Sequence, residues 1–88
     1  MTPQDVADQI AAQVLDGFNE ATWDDLRQLC VRPEEWWIMG ADARPYVIRL
    51  WANGHVGGVT VRVRVDTNGW TWTEPALGVR LLELDPDH

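Results

Sequence analysis

The sequence predicts an α+β fold: two N-terminal helices packed on one face of a four-stranded antiparallel meander sheet, with a short C-terminal helix or strand. Three observations lead to it. Apolar residues recur at helical spacing through the first third of the chain. From Trp36 onward the period changes to alternation, most regular in Val59-Thr60-Val61-Arg62-Val63-Arg64-Val65-Asp66. Gly, Asn and Pro separate the segments. A chain of 88 residues has the length of one domain with one core.

Thr2-Pro3-Gln4-Asp5 is a helix start, with a hydroxyl cap, Pro in the first turn and an acid three residues after the cap. Val6, Ile10 and Val14 follow at four-residue spacing beside Ala7, Ala11 and Leu15, which makes one apolar stripe, and Gly17 is the expected stop. Thr22-Trp23-Asp24-Asp25 repeats the start signal. Leu26, Leu29 and Cys30 form the buried side of this second helix, and Pro33 restricts Arg32 and ends it.

Trp36 to Met39 is expected as a first strand, turning through Gly40 to Arg44 into Tyr46 to Ala52. The loop Asn53-Gly54-His55-Val56-Gly57-Gly58 leads to the alternating strand Val59 to Asp66, whose valines face inward. Asn68-Gly69 is a two-residue hairpin signal, which would set Val65 against Trp72 and Arg64 against Thr73. After Pro75 the residue types favour a short helix over a strand, although Gly78 weakens it, and Asp85 to His88 is expected to fray.

Composition narrows the chemistry. The chain has no Ser, no Lys, one Cys and two His, which removes serine nucleophiles, Schiff-base lysines, P-loops and Cys-rich metal sites. A non-enzymatic protein without cofactor or metal is the expectation. Lone Cys30 reads as a small buried hydrophobe, and His55 as a turn residue. The pairs Asp24-Asp25 and Glu34-Glu35 read as helix-start and turn carboxylates. No basic, apolar leader opens the sequence and no apolar run approaches a membrane span, so a cytoplasmic protein is expected.

Fourteen acids against seven arginines give a net charge of −7, which disfavours nucleic acid as a partner. Residues 1 to 44 hold nine of the acids and three of the arginines, so the helices make the acidic side. Alternation groups Arg62 and Arg64 on the face opposite the valines, and in the preceding strand it groups Val47, Arg49 and Trp51. Trp36 and Trp37, being adjacent, must point to opposite faces. The candidate partner-binding residues are therefore Trp36, Arg49, Trp51, Arg62 and Arg64 on the outer sheet, with Asp24 and Asp25 on the acidic helical side.

Three functions fit these features. The first is a protein-binding module that occupies a partner, in size and charge like toxin immunity and phage anti-defence proteins, and homodimeric through the outer sheet face. The second is a small-ligand-binding protein or minimal acid-base enzyme with a pocket lined by Trp23, Trp70, Trp72 and Tyr46 between helices and sheet. The third is a single-strand nucleic-acid binder using the Arg and Trp face.

Overall fold

The computed structural model describes residues 2–67 and 69–83. Both helix starts form as the sequence predicts. In α1 (Pro3–Asp16) the Asp5 amide donates to Thr2 Oγ1 at 3.2 Å and the Thr2 amide donates to the Asp5 carboxylate at 3.1 Å. The bond from the Thr2 amide, then the Thr2 side chain, holds the Asp5 carboxyl below its ordinary pKa. Thr22 and Asp25 make the same reciprocal pair at the start of α2 (Trp23–Val31). Between the helices, Gly17–Glu20 forms one 3-10 turn.

Four strands follow: β1 (Glu34–Met39), β2 (Pro45–His55), β3 (Gly58–Asp66) and β4 (Ala76–Glu83). They pair antiparallel in the order β1-β2-β3-β4, the meander expected from the sequence. The helices cover one face, α1 lying over β3 and β4 and α2 against β2. Tyr46, Ile48 and Leu50 of β2 and Val59, Val61, Val63 and Val65 of β3 point into that interface. They meet Val6, Ile10 and Leu15 of α1 and Leu26 and Leu29 of α2, all buried.

Three details differ from expectation. β1 begins at Glu34, so Glu34 and Glu35 are strand residues and not a turn. β2 runs through His55, which shrinks the expected loop to a tight turn in which Gly57 takes φ +87°. His55 is therefore the last strand residue, paired with Gly58, and not the turn residue expected; its Nε2 lies 3.2 Å from Thr60 Oγ1.

The third difference is the identity of the fourth strand. The tail after Pro75 is β4, a strand and not a helix, while Trp70 to Thr73 lies outside the sheet. Val65 pairs with Ala76 and Arg64 with Leu77, where Trp72 and Thr73 had been expected. Gly69 does adopt a turn conformation, φ +87°; Asn68 of the same signal lies outside the described residues, as do Asp85 to His88. What defeats the short hairpin is Trp70. Its indole N–H donates to the Pro45 carbonyl at 2.6 Å, and its ring meets Tyr46 edge-on at 5.6 Å. Arg44 lies over the ring at 5.0 Å. Those partners sit at the start of β2, on the side of β3 opposite the one a hairpin partner would take. The Thr67 hydroxyl closes the loop by donating to the Thr71 carbonyl at 2.7 Å.

β4 locks onto the end of α1. The Arg80 guanidinium donates to the Leu15 carbonyl at 3.0 Å and to the Asp16 carboxylate at 3.1 Å, placing a cation where the helix leaves its carbonyls unpaired. Two residues earlier, Gly78 lets Leu15 approach the sheet. A Cβ there would sit 2.5 Å from Leu15 Cδ1 and 2.9 Å from Val63 Cγ1. Gly78→Ala should therefore cost about 1–3 kcal/mol by overpacking. Urea unfolding would report it as a lower midpoint with unchanged slope.

Tyr46 is fully buried, and its hydroxyl donates to Asp42 at 2.7 Å. Burial, and then that bond to a carboxylate, push the phenol up from 10.0 to about 12. A group that titrates higher in the folded chain stabilises it fully below the unfolded value of 10.0, and this contribution is lost as pH rises towards about 12. Tyr46→Phe should cost about 1 kcal/mol at neutral pH through the lost hydrogen bond. It should also flatten the fall in stability above pH 10, read by chemical denaturation across the alkaline range.

Candidate interaction surface

With both helices on one side, no described helix packs on the other face of the sheet. Strand register assigns its residues without ambiguity. Trp37 lies opposite Val47, Glu35 opposite Arg49, Arg49 opposite Arg64, and Trp51 opposite Arg62. Continuing across β3, Arg64 faces Leu77, Arg62 faces Val79, and Thr60 faces Leu81. The result is a banded surface, with apolar side chains on the two edge strands and charge between them. Trp37 is 68% exposed and Met39 60% on the β1 side, while Leu77, Val79 and Leu81 are 71%, 58% and 55% exposed on the β4 side.

The charged band is largely neutralised from within. Arg49 donates through Nε and Nη2 to one Glu35 oxygen, at 3.1 and 2.8 Å. Arg64 Nη2 lies 3.4 Å from Asp66. These two pairs keep the directly opposed guanidiniums of Arg49 and Arg64 tolerable, and they rim a shallow hollow of about 250 Å³ with Val47 at its base. Arg62 makes no ion pair among the described residues and stands beside Trp51, which is half-buried. Arg-on-Trp stacking occurs elsewhere: among the described residues the cation–π contact is Arg44 over Trp70, just before the start of β2.

The predicted site residues thus separate. Arg49, Trp51, Arg62 and Arg64 do share the outer face. Trp36 does not belong to it: its register opposite Ile48 turns it to the helical side, where it packs against the core, half-buried. Trp37 takes its place outside. Asp24 and Asp25 lie across the molecule, lining an open groove of about 1070 Å³ floored by Phe18, Ala21 and Leu29. Asp25 is committed to its helix cap, and Asp24 lies 3.9 Å from Arg27.

The four aromatic residues expected to line one pocket line neither of the two hollows described above. Tyr46 and Trp70 meet inside the core, and Trp72 is 85% exposed on the loop before β4. Sequence reasoning missed Leu77, Val79 and Leu81 as surface residues. Their every-second spacing was the available signal, competing with the helical spacing of Leu77 and Leu81. No helix among the described residues is long and apolar enough to cross a membrane.

Comparison with protein-family models, curated proteins and solved structures finds no match.

Both partners of the Arg49–Glu35 pair are more than half exposed, so its contribution to stability is at most about 1 kcal/mol and declines with salt. Arg49→Ala should leave the unfolding midpoint nearly unchanged, which makes it a clean probe of binding at this face.

Proposed function

We propose that this chain is a protein-binding module that acts by occupying its partner, docking through the outer face of the sheet. The observation that carries the reading is the outer face itself, with Trp37, Met39, Trp51 and Leu77 on one side of a sheet whose opposite side already holds the core. Exposed apolar surface on this scale costs a small domain solubility unless something covers it. Trp and Arg side by side are the usual composition of binding hot spots. The acidic helices on the far side keep the molecule soluble and favour encounter with a basic partner, adding rate more than affinity. In size and charge this is the design of small inhibitory and immunity proteins, an analogy rather than a kinship.

Nuclease-treated lysate passed over the immobilised chain supplies the test. A specific partner should be retained by the wild type and by Val31→Ala, an exposed apolar position on α2, and lost at least tenfold by Trp37→Ala and Trp51→Ala. Retention indifferent to both tryptophans would overturn the docking face. Capture abolished by nuclease alone would replace a protein partner with nucleic acid. Loss of stability in Trp51→Ala without loss of binding would move Trp51 from the interface to the core.

A further inference from the structure

Proteins guard the edges of their sheets, because an edge strand presents unpaired N–H and C=O groups to any passing chain. The two edges here are treated differently. β1 is six residues long and opens on Glu34 and Glu35, directly after Pro33. β4 is eight residues long, contains no Pro and shows no bulge, since its pairing with β3 runs unbroken from Gly58↔Glu83 to Val65↔Ala76. Its one internal charge, Arg80, is turned inward and bound to the end of α1. The side chains β4 shows to solvent on the outer face are Leu77, Val79 and Leu81, followed by Glu83 at the strand's last position.

We infer that β4 pairs edge to edge with β4 of a second copy of this chain, antiparallel about a two-fold axis at Val79, so that two sheets become one of eight strands. This goes beyond the docking reading above and uses the β4 edge, which adjoins that face and shares Leu77 with it. The occupant follows from the strand's own pattern. Directly opposed residues of an antiparallel pair lie on the same face. With Val79 on the axis, Leu77 meets the second copy's Leu81, Val79 meets Val79, Ala76 meets Leu82 and Gly78 meets Arg80. No like charges face each other. Sliding by the smallest step that preserves the faces either sets Arg80 against Arg80 or sets Leu81 against Pro75, which has no N–H to give.

Charge points the same way. Two chains of net charge −7 repel overall, which favours contact through an uncharged or complementary surface. The exposed row of β4 is such a place. Stacking outer face on outer face, the arrangement expected from sequence alone, would bury the Arg49–Glu35 and Arg64–Asp66 pairs together with Arg62, at the desolvation cost of buried ions. Edge pairing avoids this and adds about six to eight main-chain hydrogen bonds. It also sets the two α1 helices, each lying over β3 and β4, about two strand spacings apart on the same side, close to the distance at which helices pack.

A charge exchange at the axis tests the register as well as the association. The full chain is followed by sedimentation across the micromolar range as wild type, Val79→Glu, Val79→Lys and an equimolar mixture of the two variants. Circular dichroism confirms that each is folded, as an exposed position allows. The expected result is a two-chain mass for the wild type, half that mass for each variant alone, and recovery of the two-chain mass in the mixture, where glutamate faces lysine. A wild type that stays at one chain overturns the proposal. So does a Val79→Glu variant that stays at two chains, which would place the contact elsewhere, or a mixture that fails to recover, which would place the axis elsewhere. None of these outcomes bears on the partner captured through Trp37 and Trp51, whose assay reads positions on β1 and β2.

Discussion

The inward direction of four valines organises this molecule. Val59, Val61, Val63 and Val65 stand on β3, one of the two strands that pair on both sides, and each is at most 1% exposed. Because a strand has a period of two, that choice sends Thr60, Arg62, Arg64 and Asp66 outward. Registers with β2 and β4 then propagate the choice, carrying Trp51 and Arg49 outward on one side and Leu77, Val79 and Leu81 on the other. Slipping one residue would drive two guanidiniums beneath the helices, where an unpaired ion costs several kcal/mol. The sidedness on which any function depends is therefore held by the core and not by the surface residues themselves.

What was legible in the sequence is what is local or strictly periodic. Each helix start is settled within three residues by a reciprocal hydrogen-bond pair, so Thr2 to Asp5 and Thr22 to Asp25 could be read directly. β3 declares itself by alternation. The last quarter of the chain was illegible because its outcome depends on distant partners. Ala76 to Glu83 contains good helix formers, and it becomes a strand because eight consecutive pairs along β3 outweigh a modest intrinsic preference. Gly78 had argued against a helix; its structural reason is Leu15, sixty-three residues earlier in the sequence. The Asn68-Gly69 signal was sound as turn chemistry but silent about Trp70, whose ring is claimed by Pro45 and Tyr46.

The surface chemistry was half visible for the same reason. Alternation grouped the arginines correctly, yet it could not supply Glu35, since that residue comes from a strand read as a turn. With Glu35 and Asp66 in place, the outer face is a mixed, self-neutralised band on an acidic molecule and not a basic patch. A phosphate backbone approaching it would meet guanidiniums already engaged by carboxylates, and the counterion release that drives nucleic-acid binding would shrink accordingly. A protein surface, which presents apolar groups as well as charges, matches the banding better.

Face and edge are also separable in what they ask of a partner. The face offers side chains, so its occupant is selected by shape and by where its own charges fall against Arg62 and the two ion pairs. The β4 edge offers mainly backbone, which any extended chain can satisfy, so selectivity there rests on which side chains land opposite one another. A strand carrying a charge across from Val79, or a proline where an amide is needed, is rejected, whereas β4 itself fits its own pattern. In the edge pairing inferred above, carboxylates guard β1 while the β4 edge is left to the partner whose pattern it matches, another copy of the chain. The outer faces of both copies then remain open, side by side on one sheet.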